Sequence, residues 1–386
     1  MLSREENDYL TRVGRGMPAG ELLRRYWHPV AVAGELTDEH PIKAVRILGE
    51  NLVVFRDTVG KYGLIAERCP HRSASLAYGR VDAEGIRCAY HGWKFDHNGR
   101  CLQQPAEPDD STYKDRVRQP AYPVEKLAGL LWAYLGPEPA PLLPRWDVLV
   151  REDGKRWTVI ESMIDCNWLQ PMENSVDPSH LYWLHGDSAH LMGHVPDYGE
   201  THDFIRFEYG IWKHRTTPGK KPGDPPQRDE HPLLFPCTLR HVARYKGGFR
   251  HNLQIRVPVD DTHTRVFRVS FVPSETDRSP EEVDPPFQYS QLKGPDGRFD
   301  LSTVPAQDAM AWETQGGIAD RSLENLGVGD KGVIFLRKLL KEQIDLVKNG
   351  GEPMGMIRDP QKNKIVELDV INERIGLFRS TDKKVA

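Results

Sequence analysis

Two groups of side chains in this sequence have the donor types and the spacing needed to hold metal. The first is Cys69-x-His71, followed after sixteen residues by Cys88-x-x-His91. Each short loop offers one thiolate and one imidazole, and each follows a strand-like run, so a hairpin scaffold can hold the two loops facing each other. Two assignments compete for this donor set. A [2Fe-2S] cluster with two thiolates on one iron and two neutral imidazoles on the other has a potential well above that of an all-cysteine cluster, which suits it to accept and relay electrons. A structural Zn2+ takes the same Cys2His2 atoms at tetrahedral geometry, although zinc knuckles more often pair cysteine with cysteine.

The second group is Asn174-x-x-Asp177-x-x-His180, with His185 after four further residues. On a regular helix, positions five apart diverge by about 140°. Both imidazoles can therefore reach one ion only if the helix is widened or broken, and Pro178 makes such irregularity plausible. Asp177, three residues before His180, can accept the other ring N–H and fix the tautomer of that ligand. Two isolated histidines in a Trp/Tyr-rich helix would ordinarily be packing residues. Two histidines plus one carboxylate, however, leave one face of Fe(II) open to O2 and substrate. A carboxylate from elsewhere in the chain must complete such a set.

The elements that position these groups are readable from the pattern. Ser3 and Glu6 make a capping box for an N-terminal helix, and Glu21 to Trp27 reads as a second helical turn. "KAVRILG", "NLVVFRD" and "YGLIA" read as short strands, and Asn98-Gly99 as a hairpin turn. Four prolines between Pro137 and Pro144 mark a crossing, which sets the expected domains as 1–140 and 141–386. The second half offers "RWTVIESMI" as a strand and a long helix-compatible stretch from about Asp165 to Leu184. "DFIRFEYGIWKHRTT", "TLRHVARYK", "FRHNLQIRVPV" and "TRVFRVSFVP" follow as long strands, and "VIFLRKLLKEQIDLVKNGG" as an amphipathic helix. Pro218 to His231 and Ser274 to Pro286 read as surface loops. The expected class is α+β: a small antiparallel β domain, then an antiparallel sheet flanked by helices in the helix-grip manner.

Composition narrows the partners. The 386 residues carry 52 Lys plus Arg against 56 Asp plus Glu, a net charge of −4, which offers no footprint for nucleic acid and no basic face for a membrane. No segment approaches the roughly 18 apolar residues of a membrane span, and the first residues lack the apolar run of a signal peptide. The expectation is a cytoplasmic protein acting on a small molecule. Five scattered cysteines do not make a disulfide framework, and Cys101, Cys166 and Cys237 read as packing residues.

"CPHRSAS" followed by "CAYHGWKFDHNGRC" resembles the Rieske motif of the ring-hydroxylating oxygenases. By that resemblance Cys69 and Cys88 bind one iron and His71 and His91 the other, with Trp93 packing beside the loop. The string from Asn174 to His185 resembles the mononuclear-iron motif of the same family, whose third ligand is an Asp on a helix near the C-terminus. "AQDAMAWETQG" is similar to that segment and makes Asp308 the match, with Glu313, Asp320 and Asp330 as competing carboxylates. The resemblance runs from "SREENDYLTRVG" to "ETQGGIADRS" and points to the phthalate-dioxygenase-like branch.

That branch implies a homotrimer or dimer of trimers, in which the cluster of one subunit feeds the iron of its neighbour. Asp177, with Asn174 beside it in the motif, would then bridge His180 to His91 of the partner subunit. The implied activity is that of an oxygenase component taking electrons from an NAD(P)H-dependent flavin/iron-sulfur reductase and using O2 to hydroxylate or dihydroxylate a carboxylated aromatic substrate. O-demethylation of a methoxy-aromatic is the alternative outcome. A Rieske electron carrier without catalytic iron is a further reading, against which stand about 240 residues beyond the proline crossing. Arg206, Arg215, Arg240, Arg244 and Arg256 lie on strands where a carboxylate anchor could sit.

Overall fold

The computed structural model describes residues 1–185, 200–219 and 223–379. The N-terminal capping box is present: Ser3 Oγ accepts the Glu6 N–H at 3.1 Å, Glu6 Oε2 accepts the Ser3 N–H at 2.8 Å, and helix Arg4–Thr11 follows. The expected second helical turn is shorter than its pattern. Helix Pro18–Leu23 stops early and Trp27 opens the strand Trp27–Val32. Pro29 explains this, because it disfavours a helical conformation at His28 and cannot donate to a helix.

The three strands expected after residue 40 form an antiparallel meander, Ile42–Ile47, Glu50–Arg56 and Tyr62–Ala66, joined by Ala121–Tyr122. A second four-stranded sheet follows, ending in the hairpin Lys94–Phe95 and Cys101–Gln103. Its turn needs Gly99: φ is +75° there, and a Cβ would lie 1.8 Å from the Gln119 carbonyl oxygen. Between the two sheets Val53, Phe55, Ile65, Leu76, Ile86 and Phe95 pack around Cys69 and Cys88. A larger core joins Leu22, Leu23 and Trp132 to Leu253, Val269 and Leu340.

The second half is built on one nine-stranded sheet, antiparallel except where Phe287–Ser290 runs parallel to Gly154–Glu161. Two expectations fail here. The loop expected from Pro218 to His231 gives way to a strand, Gln227–Leu234, paired along its length with Gly210–Thr217; residues 220–222 of that loop lie outside the described residues. The strand was hidden because, within the part read as loop, its buried positions are Asp229 and His231, so no apolar alternation marks its start. The long helix expected from Asp165 to Leu184 is two short ones, Leu169–Asn174 and His180–Leu184, separated by the segment that contains Pro178. Helix Lys331–Lys348 stands where the pattern placed it, and helix Val304–Glu313 where the family resemblance implied one.

A buried ion cluster fixes the first of those short helices. Glu173 receives the guanidinium of Arg321 at 2.7 Å and that of Arg337 at 2.6 Å, while Arg337 also reaches Glu324 at 2.7 Å. Burial alone would push the Glu173 carboxyl up, yet the two arginines hold it below its ordinary value. The clamp therefore contributes fully above the usual carboxylate range and is lost as pH falls through the depressed value. Glu173→Gln leaves Arg321 buried without its counter-charge, and urea denaturation at neutral pH should show a loss of about 3–5 kcal/mol.

Candidate active site

The Cys69 and Cys88 loops share one backbone frame. Cys69 N–H donates to Ala74 O at 2.9 Å and Ser73 N–H to Cys69 O at 2.8 Å; Cys88 N–H donates to Trp93 O at 2.8 Å and Gly92 N–H to Cys88 O at 3.0 Å. The fourth residue after each cysteine has positive φ, 59° at Ser73 and 74° at Gly92. Each turn points its thiol inward and its imidazole outward. Cys69 and Cys88 are buried, and their thiols come within hydrogen-bonding reach of each other. His71 and His91 lie nearer the surface with ring centroids 4.5 Å apart. The Trp93 ring stacks on His71 at 4.6 Å and 7°.

This sorting bears on the two assignments. A tetrahedral zinc would gather its four donors within about 3.3–3.8 Å of one another. Among the described residues, the one group of three or more histidine, cysteine or acidic donors lying mutually within 4.8 Å is His180, His185 and Asp308. Cys69, His71, Cys88 and His91 instead form a thiol pair and a separate imidazole pair, as a two-iron cluster requires.

The break in the helix brings the second set together. His180 opens the short helix, and His185 sits just past its end with φ −108° and ψ 0°, so the five-residue separation no longer forces the rings apart. Their centroids are 5.4 Å apart at 83°. Asp308, from helix Val304–Glu313, places Oδ1 3.3 Å from His185 Nε2 and 4.0 Å from His180 Nε2. That oxygen is buried and has no hydrogen-bond partner among the described residues, a costly state that a cation between the three groups would relieve. The competing acids are engaged elsewhere: Glu313 with Lys293 at 2.6 Å, Asp320 with Ser322, and Asp330 with the Gly327 N–H.

Neighbouring groups orient the rings. His185 Nδ1 meets Gln307 Oε1 at 2.7 Å, which turns Nε2 toward Asp308. His180 Nδ1 meets the main-chain carbonyl of Asp177 at 2.5 Å, whereas the Asp177 carboxylate stays 3.9 Å away. The sequence suggested the carboxylate for this task. It is instead occupied in capping the turn, accepting the Ser179 N–H at 2.8 Å. Asn174 closes the preceding helix, its carbonyl accepting the Asp177 N–H at 3.1 Å.

The face of the large sheet that packs on this segment is polar. Lys213 Nζ donates to Ser175 O at 3.1 Å, and Arg256 bonds Ser175 Oγ and Gln254 Oε1. Burial pulls the Lys213 ammonium down to about 7, helped by Arg215 and opposed by Asp177. Of the five arginines singled out from sequence, Arg206 pairs with Glu342, Arg215 with Asp229 and Arg240 with Asp147, and Arg244 is exposed. Arg256 alone stands near the three donors, its charge facing Asp308 and Glu161. Sequence reasoning passed over Lys213, His231, His241, Arg250 and Arg268. The signal was present, since Arg250, Asn252, Gln254 and Arg256 fall at every second position in "FRHNLQIR", with Leu253 and Ile255 between the last three.

Residues 26–123 match the family described as Rieske [2Fe-2S] domain, and residues 290–384 the one described as LigXa C-terminal domain like. The chain is 41% identical over 385 residues to the 5,5'-dehydrodivanillate O-demethylase oxygenase subunit of Sphingobium sp., covering 96% of this chain and 87% of that subunit. The chain belongs to the oxygenase subunits of the Rieske oxygenases. It is also 31% identical over 399 residues to the phthalate 4,5-dioxygenase oxygenase subunit of Pseudomonas putida, covering 92% of this chain and 89% of that one. The solved structure of Pseudomonas putida CBB5 NdmA with caffeine shares the fold, with TM-score 0.65 and 24% identity over 86% of this chain and 94% of that one.

As a Rieske oxygenase subunit, the protein is an oxidoreductase that uses a [2Fe-2S] cluster and a mononuclear iron. Among the described residues no helix is long and apolar enough to cross a membrane.

Two outcomes follow from the site. Gln307→Leu frees the His185 ring, and Fe(II) titration of the metal-depleted protein should show about 10- to 100-fold weaker binding. Lys213 is neutral in the folded state above about pH 7, while an unfolded lysine keeps its proton to about 10.4. The unfolded state then binds more protons, so this residue makes stability rise with pH across that window. Urea midpoints of wild type and Lys213→Met should diverge accordingly, wild type gaining on the variant from about pH 7 to about 9.

Proposed function

We propose that Cys69, Cys88, His71 and His91 hold the cluster, that His180, His185 and Asp308 hold the mononuclear iron, and that the chain hydroxylates or dihydroxylates a carboxylated aromatic substrate. The buried, unpartnered Asp308 oxygen between two oriented imidazoles carries this reading. When bound, the cluster supplies electrons singly and the iron a place where O2 and substrate meet. The protein's own part is positional. Gln307 and the Asp177 carbonyl hold the two imidazoles, and the polar sheet face behind Ser175 gives an anionic substrate its counter-charge. O-demethylation is a second outcome at the same site, favoured by the 41% identity to a demethylase subunit.

The division of labour follows the proline crossing: residues 1–140 relay electrons and 141–386 carry out oxidation. Supply by an NAD(P)H-dependent flavin/iron-sulfur reductase places the protein in the cytoplasm, with the nucleotide. A homotrimer, or a dimer of trimers, supplies each iron from the neighbouring subunit's cluster. In support, His71 and Tyr90 are exposed at one edge, and Trp183 beside the iron ligands is 76% exposed at another. Asp177, near Asn174 at that second edge, is the bridging residue.

Turnover with reductase, NADH and candidate acids should consume O2 and form a diol or phenol, or formaldehyde where a methoxy group is removed. Asp308→Ala should retain acid-labile sulfide and lose this activity. Asp177→Asn should keep both metal centres and stop turnover; rapid reoxidation of its reduced cluster by substrate and O2 would contradict the bridging role.

A further inference from the structure

The register of the large sheet lays a row of polar side chains along the face that packs on Ser175. Lys213 is opposite His231, His241 opposite Asn252, and Asn252 opposite Ser270. The rings of His231 and His241 stack at 5.3 Å, joining the two halves of the row. Arg250 lies on the same face, two positions from Asn252, because side chains two apart share a face of a strand. Arg268 stands opposite Gln254 and completes the group.

Of the cations on this face, two have their own carboxylate, and two more, Lys213 and Arg256, donate to oxygens of Ser175. Arg268 pairs with Glu161 and Arg215 with Asp229. Arg250 has none among the described residues. Its guanidinium rests 5.5 Å from the Tyr245 ring, and its Nε is buried without a hydrogen-bond partner among the described residues. His241 Nδ1, on the neighbouring strand, is in the same state. Two buried nitrogens without hydrogen-bond partners among the described residues thus stand on neighbouring strands of one face, and one of them belongs to a cation with neither a carboxylate nor a Ser175 oxygen to hold it. Such groups are costly unless a ligand completes them.

We propose that Arg250 and His241 form the subsite that takes the carboxylate of the substrate. The planar guanidinium fork matches a carboxylate, and the imidazole N–H of His241 donates to its second oxygen. The stacked faces of His231 and His241 give the attached aromatic ring a surface to lie on. This rests on the reading of this sheet face as the substrate site and deepens it. It also shifts the anchor from the arginines that sequence alone suggested. Arg250 and Arg256 stand six positions apart on the strand Gly248–Pro258, about 20 Å at the rise of an extended chain. Arg256 marks the iron end, so a two-ring acid is the appropriate probe.

The test is calorimetric titration of the metal-loaded protein with 3-phenoxybenzoate and with its neutral counterpart, 3-phenoxybenzyl alcohol. Wild type should bind the acid about 10- to 100-fold more tightly than the alcohol. Arg250→Gln should lose that preference while keeping the affinity for the alcohol and the visible spectrum of the cluster, and Arg250→Lys should recover part of it. Should Arg250→Gln not fold, Arg250→Lys decides, since an intermediate preference supports the subsite and an unchanged one overturns it. Equal binding of acid and alcohol by wild type, absence of acid binding, or full preference in Arg250→Gln would also overturn it. With iron content and reductase-driven O2 uptake intact, such a result sinks the subsite alone; loss of those properties would instead sink the oxygenase reading.

Discussion

The second half of the molecule is organised around one buried carboxylate oxygen that lacks a hydrogen-bond partner among the described residues. Asp308 Oδ1 is buried between His180 and His185 with no donor of its own among the described residues. Holding it there requires residues more than a hundred positions apart to converge without relaxing toward ordinary hydrogen bonds. The fold meets this in three ways. The helix that would have splayed the histidines is broken before His180, Gln307 turns the His185 ring, and the Glu173 clamp fixes the preceding helix against Arg321 and Arg337. Together these devices keep His180, His185 and Asp308 side by side.

The first half solves a different problem with the same economy of backbone. Two identical turns, each closed by a residue of positive φ, send a thiol into an apolar core and an imidazole to the surface. Buried thiolates and exposed imidazoles are the polarity a cluster needs if its histidine-bound iron is to exchange electrons with a partner while its sulfurs stay dry. Trp93, stacked on His71, limits how far that ring can turn.

Much of this was legible in the sequence, and the misses have physical causes. The ligand loops, the meander, the capping box and the helix Lys331–Lys348 all carry local signals: fixed spacing, alternation, turn residues, a 3.6-residue period. The start of the strand Gln227–Leu234 was read as loop because its buried positions there are Asp229 and His231, and hydrophobic alternation cannot report a face whose task is polar. Arg250 and His241 were passed over for a different reason, since the polar side of an alternating strand reads as facing solvent, while Arg240, on the opposite face, attracted attention though Asp147 and His251 engage it. The role of the Asp177 carbonyl was likewise out of reach, since a side chain and its own carbonyl compete for one imidazole and only coordinates show which wins.

The most direct test of the account is the iron and acid-labile sulfide content of anaerobically purified protein. The account predicts about three irons and about two sulfides per chain, one iron beyond the cluster and removable by chelation. Two irons with two sulfides, unchanged by added Fe(II), would mean that His180, His185 and Asp308 do not hold metal and that the chain only carries electrons. Zinc without sulfide would contradict the cluster as well.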